Sequence, residues 1–262
     1  METKIEERFL QLVNIMDELR AKCPWDRKQT IHTLRTMTIE ELYELIDAVD
    51  KENWQDIKEE SGDILLHLLF YTKIASEKKE YNLEDVLQTI IDKMIKRHPH
   101  IYGNVSVNDE EDVKKNWQKI KSEEGKKSLL SGVPNALPSV VKAARIQEKA
   151  KQAGFEWEHK NDVWNKVEEE LQELKEAEIK NEQEELEEEF GDVLFSLINY
   201  ARFLNIDADA ALEKCNKKFM QRFQLMELYA GNDNKLLTNM SLTEMDVLWN
   251  KAKAETRKDK NG

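Results

Sequence analysis

Helix-breaking residues are scarce in this chain, with four Pro and eight Gly among 262 residues. All four Pro (Pro24, Pro99, Pro134, Pro138) fall between helix-like stretches. That is what a nearly all-helical chain requires, because an interior Pro removes a ladder donor and clashes with the preceding turn. Cysteine is scarcer still: Cys23 and Cys215 form no CxxC pair, which excludes a disulfide framework. No apolar run approaches membrane-spanning length and the N-terminus has no apolar signal core, so the expected location is cytoplasmic, with reduced thiols and no membrane partner. Positive charge is also in deficit. A formal charge of −13 argues against a nucleic-acid surface, which demands clustered Lys and Arg. A small anionic ligand is compatible with that balance if metal ions intervene.

What the chain does contain is charge, 35% of it Asp, Glu, Lys and Arg, together with abundant Glu, Lys and Leu, all good helix formers. Helical periodicity runs over about residues 4–21, 31–51, 53–79, 83–97 and 109–124, and again over 138–152, 161–180, 182–204, 207–230 and 243–257. These are two five-helix sets. Between them, Gly125 to Pro138 holds two Gly and two Pro. The expected organisation is therefore all-α, with tandem duplicated bundles at residues 1–124 and 138–262 joined by a linker at 125–137.

Carboxylates recur at one fixed interval. Glu41, Glu44, Glu60 and Asp63 are matched by Glu170, Glu173, Glu189 and Asp192, each 129 residues later. The first pair of each set sits in an EExxE stretch and the second in ExxD with Gly before the Asp. Members of a pair are three residues apart, so on a helix they share a face. An acidic helix face is usually just solvated. Here, however, both pairs, the residues between them and the Gly recur together beside an apolar run. The helix after Asp63 reads Ile-Leu-Leu-His-Leu-Leu-Phe-Tyr and that after Asp192 reads Val-Leu-Phe-Ser-Leu-Ile-Asn-Tyr, apolar nearly all round, as expected of an enclosed helix. On the second of these, Glu189, Asp192, Ser196 and Asn199 form one polar stripe. Buried carboxylates need cations or hydrogen bonds, and a cluster of four suits Mg²⁺ or Mn²⁺.

Basic residues accompany both sets: Lys93 and Arg97 in the first, Lys218 and Arg222 in the second, with Lys166 one turn before Glu170. Each can be read as a salt-bridge partner of the carboxylates or as a phosphate contact. Trp249 and Lys253 add a stacking face and another charge. Core packing is expected for most of the six Trp, with Trp25 and Trp157 open. His67, on the polar stripe of the first copy, is expected to be a satisfied buried histidine, and His98 and His100, flanking Pro99, to be loop residues.

With these landmarks the chain resembles the MazG family of nucleoside triphosphate pyrophosphohydrolases, in the all-α NTP pyrophosphatase group. The likeness spans nearly the whole length, including Cys23-Pro24-Trp25-Asp26, Arg97-His98-Pro99-His100 and Gly154-Phe155-Glu156-Trp157. It implies hydrolysis of nucleoside triphosphates to monophosphate and pyrophosphate, a Mg²⁺ requirement and a homodimer. It further implies metal ligation by Glu170, Glu173, Glu189 and Asp192, and substrate contacts from Lys166, Lys218, Arg222, Trp249 and Lys253. Asn199 joins them from the polar stripe. Either Glu169 or Glu170 is the candidate to orient or deprotonate the attacking water. Catalysis is expected mainly in the second copy, because Lys166 and Asn199 are replaced by Met37 and Phe70 in the first. The alternative of another class is a metal-stabilised helical interaction protein without turnover. A di-iron bundle lacks its ExxH pairs.

Overall fold

The computed structural model describes residues 2–123 and 128–258. Among these residues the chain forms eleven α-helices and three short 3-10 turns, with no strand. It divides into two compact units, Met1–Glu124 and Gly125–Gly262. The first unit contains α1 (Glu2–Lys22), α2 (Ile31–Asp50), α3 (Trp54–Glu77), α4 (Leu83–Arg97), α5 (Pro99–Tyr102) and α6 (Glu110–Glu123). The second contains α7 (Ser139–Gln152), α8 (Lys160–Lys180), α9 (Gln183–Phe203), α10 (Ala208–Asn232) and α11 (Leu242–Lys258). Where periodicity leaves His98 and His100 in a loop, the structure has the helical turn α5. Pro99 occupies its first position, where the missing N–H costs nothing.

Local chemistry sets the helix ends. Thr30 and Thr33 form a reciprocal capping box at the start of α2, and Asn82 with Asp85 does the same for α4. Asn53 caps α3 and Asp207 caps α10, each accepting from backbone N–H groups that have no partner within the helix. α8 ends on Asn181 at φ 58°, the left-handed conformation that Asn tolerates, and α9 begins two residues later. The result is a tight antiparallel hairpin, with Trp164 of α8 packed on Tyr200 of α9 at 4.9 Å between ring centroids. In the first unit Glu52, at φ 52°, turns the chain between α2 and α3 in the same way.

Each unit carries its own core. Met16, Leu34, Phe70 and Ile74 are buried together in the first, with Met37, Leu66 and Tyr71 packed on them. In the second, Met226, Tyr229 and Ala252 join α10 to α11, while Val163 and Val167 on α8 are fully buried. The described part of the segment between the two helix sets begins at residue 128. It belongs to the second unit, where the buried Lys149 of α7 donates to the Leu129 carbonyl.

Two expectations are corrected. The helices read as enclosed, α3 and α9, leave Leu65, Leu68, Leu194 and Leu197 exposed, because only one side of each packs within its unit. Most of the Trp are not core residues: Trp25, Trp54, Trp157 and Trp164 are exposed. Among the described residues no helix is long and apolar enough to cross a membrane.

Candidate metal centre

The hairpin explains why the carboxylates are spaced as they are. Glu173 lies eight residues before Asn181 and Glu189 eight after it; Glu170 and Asp192 lie eleven to either side. In an antiparallel pair, residues equidistant from the turn come level with one another, here about 12 and 16 Å from it at the helical rise. The same symmetry about Glu52 relates Glu44 to Glu60 and Glu41 to Asp63. Two sequence-distant pairs are thereby brought to one place by a single turn residue.

In the second unit, oxygens of Glu170, Glu173 and Glu189 all lie within 4.8 Å of one another. Glu170 continues the buried face of Val163 and Val167 and is only 7% exposed. A carboxylate there requires a cation, and Lys166, one turn earlier, supplies one. Its Nζ sits 2.9 Å from Glu170 Oε1 and donates to Glu169 Oε1 at 2.7 Å. These two hydrogen bonds raise the Lys166 pKa, so the ammonium stays charged. Glu173 is held above the usual carboxylate range, first by its hydrogen bond with the Glu170 carboxyl and then by desolvation. Glu189 is raised too, by desolvation and then by the charges of Asp192 and Glu170. Carboxyls pushed upward by one another form a group with unmet demand for positive charge.

Asp192 sits at the edge of this group. It is exposed and lies outside the three-carboxylate group, although its charge reaches Glu189. In the first unit the membership shifts: Glu41, Glu60 and Asp63 come together, and Glu44 stays outside. Glu41 and Glu60 are both raised, chiefly by desolvation, and Glu60 Oε2 is buried without a hydrogen-bond partner. Met37 stands where Lys166 stands in the second unit. His67 is buried as expected, but its Nδ1 has no hydrogen-bond partner.

The remaining candidates form a second group on α10 and α11. Arg222 stacks over the Trp249 ring at 5.7 Å, and its Nε donates to the buried Thr256 Oγ1 at 3.1 Å. Lys218, one turn earlier on α10, is exposed, and Lys253, one turn after Trp249, is half-buried. The first unit repeats the stack: Arg97 lies 5.5 Å over the ring of Trp117, with the half-buried Lys93 one turn before it. Asn199 is not a free amide, since its Oδ1 accepts from Arg202 Nη2 at 2.8 Å. Arg202 went unrecognised in the sequence. It continues the stripe of Glu189, Asp192, Ser196 and Asn199 by one further step of three, which is the signal that finds it. Thr256 leaves no such signal, being an ordinary helix residue until α11 packs on α10.

Residues 29–102 and 159–225 match the family model described as the MazG nucleotide pyrophosphohydrolase domain. The chain is 44% identical over 250 residues to a Thermotoga maritima protein named nucleoside triphosphate pyrophosphohydrolase/pyrophosphatase MazG, covering 94% of this chain and 95% of that one. It is 35% identical over 256 residues to the nucleoside triphosphate pyrophosphohydrolase of Escherichia coli K12, covering 94% of this chain and 97% of the relative. The uncharacterized protein YabN of Bacillus subtilis is 42% identical over 263 residues, 98% of this chain but 54% of YabN.

Proposed function

The chain belongs to the MazG family of nucleotide pyrophosphohydrolases, and on that premise we propose that its second unit hydrolyses nucleoside triphosphates to monophosphate and pyrophosphate. One observation carries this reading: three mutually strained carboxylates on the α8–α9 hairpin, with Lys166 beside them. An all-oxygen donor set of this kind suits Mg²⁺, with Mn²⁺ as the alternative. Glu170, Glu173 and Glu189 would hold it, with Asp192 within electrostatic reach. When bound, the metal would polarise the α-phosphorus and lower the pKa of the attacking water.

The chain's own groups divide the remaining work. Lys166 places a permanent positive charge next to Glu170, where it can meet a phosphate oxygen. Glu169, exposed beside Lys166, is the candidate to take a proton from water, with Glu170 committed to the metal. Attack at the α-phosphorus breaks its bond to the oxygen bridging the α- and β-phosphates, and the leaving group is pyrophosphate. Arg222, Lys218 and Lys253 would neutralise that charge, with the Trp249 ring holding the Arg222 guanidinium in place. In the first unit, Glu41, Glu60 and Asp63, with Glu44 nearby, would form a lesser metal site next to Lys93 and Arg97.

Product analysis tests the reading. Purified protein with Mg²⁺ and a panel of canonical and damaged nucleoside triphosphates is expected to yield monophosphate and pyrophosphate in equal amounts. Release of orthophosphate would place the cleavage at another bond. Consumption of no nucleotide, with a Tm that still rises on adding metal, would favour the non-catalytic interaction protein instead.

A homodimer is proposed on packing grounds. In the second unit Phe190, Leu194 and Leu197 on α9 and Phe219, Met220 and Phe223 on α10 are exposed. An apolar area of that extent is ordinarily covered in a stable soluble protein. Light scattering should give twice the 30.8 kDa chain mass across a dilution series. Leu194→Glu combined with Leu197→Glu should shift it to the monomer, and a wild type that is monomeric throughout would refute the proposal.

A further inference from the structure

The loop between α7 and α8 is tied to the end of α9 by an ion pair that the metal centre does not require. Arg202 donates from Nη1 to Glu156 Oε2 at 2.7 Å and from Nη2 to Glu156 Oε1 at 2.6 Å, while Nη2 also reaches Asn199 Oδ1. The side chains are 19% and 18% exposed, and the guanidinium lies 5.0 Å over the Phe203 ring. Lys151 adds a second cation 3.5 Å from Glu156 Oε2. Such partly buried pairs add little net stability against apolar replacements, yet breaking one is costly, so their effect is to fix geometry.

The residue next to Glu156 in the chain is Trp157. The chain turns at Gly154, φ 85°, and Trp157 follows Glu156 with its side chain 46% exposed, packed into no core. It borders an open cavity of about 500 Å³ shared with Asp162, Asn165, Lys166 and Glu169. Lys166 and Glu169 also belong to the metal centre, so the cavity opens directly from it. Along α8 the order is Asp162, Asn165, Lys166, Glu169, Glu170, Glu173, which puts the cavity on the N-terminal side of the metal-holding carboxylates. Its lining has more carboxylates than cations, which repels phosphate but accepts hydroxyl and amino donors. A flat indole on the wall suits a base. The volume lies within the range of small-molecule sites.

We propose that Arg202 and Glu156 are positioning residues that hold Trp157 as the stacking wall of the nucleoside end of the site. The inference rests on the pyrophosphohydrolase reading above. The first unit lacks the device: Lys73 stands at the Arg202 position and pairs with Asp17, Phe70 replaces Asn199, and Pro24 precedes Trp25. There, Arg20 holds the Trp25 loop through the carbonyls of Asp26 and Gln29. The brace is thus confined to the copy assigned the chemistry.

The test separates the two ends of the substrate. Binding of AMP, CMP, GMP and UMP, and separately of pyrophosphate, is measured by calorimetry with Mg²⁺ for the wild type and for Arg202→Lys, Glu156→Gln and Trp157→Ala. Each variant is expected to bind the monophosphates about tenfold or more weakly while pyrophosphate changes less than about twofold. Arg202→Lys should add little once Trp157 is already Ala, since the pair acts through that ring. Equal losses for both ligand classes, or no loss, would overturn the proposal. Should Arg202→Lys fail to fold, Glu156→Gln and the exposed Trp157→Ala decide it by the same comparison. A wild type that hydrolyses no nucleoside triphosphate would instead sink the underlying activity.

Discussion

Glu170→Gln and Glu173→Gln are each expected to lower nucleoside triphosphate hydrolysis by about 10³-fold or more, since the metal's charge stabilisation of the transition state is worth several kcal/mol. Glu44→Gln, the first-unit counterpart of Glu173→Gln, should cost far less. For stability Glu173→Gln should behave in the opposite sense, unlike Glu170→Gln, which removes the buried partner of Lys166. Glu173 is raised first by its hydrogen bond with the Glu170 carboxyl and then by desolvation, and Glu189 by desolvation and neighbouring carboxylates, so the metal-free cluster is destabilising at neutral pH. Replacing Glu173 with Gln removes one repelling charge, and the metal-free variant should melt above the wild type. Mg²⁺ should raise the wild-type Tm and leave the variant nearly unmoved. The pH dependence has a definite sign. As pH falls through the raised values, the wild-type carboxyls take up protons and come to resemble Gln, so the gap in metal-free Tm should close on acidification. A gap that widened, or a variant with full activity, would remove these residues from the metal centre.

Arg222→Ala should lower kcat/KM about 10²-fold, the order expected when a charge-assisted contact to phosphate is lost. Arg222→Lys should recover little of it. The guanidinium is stacked on Trp249 and pinned through Nε by Thr256, a fork geometry that an ammonium on a flexible stem cannot reproduce. Pyrophosphate inhibition should weaken in parallel, whereas monophosphate inhibition should hold. That is the reverse of the pattern expected when the Glu156–Arg202 pair is broken. Full rescue by Lys would mean that charge alone matters, and an unchanged Arg222→Ala would remove this residue from the substrate's path.

Much of this was legible before any coordinates. The all-helical fold follows from the placement of four Pro and the long 3.6-residue periodicity, because nothing within those stretches competes with helix. The acidic cluster was visible as a repeat, and the hairpin shows why: equal spacing about Asn181, and about Glu52, is a property of the sequence alone once both flanks are helical. Which three of each four carboxylates converge was not legible. Glu44 and Asp192 have the same spacing credentials as their partners, yet their oxygens lie outside the two groups.

The sequence by itself determined what is local and periodic: helix identity, caps, the turn residues and the duplicated acidic motifs, since each depends on residues within a few positions of one another. The tertiary structure decided what depends on rotation and on contacts across long separations. It left Trp25, Trp54, Trp157 and Trp164 at the surface, set Arg222 between Trp249 and Thr256, and joined Glu156 to Arg202 across 46 residues. Hydrophobic periodicity selects which face of a helix is buried, but not how far that burial extends or which polar groups meet at its rim. That is fixed only when the helices pack.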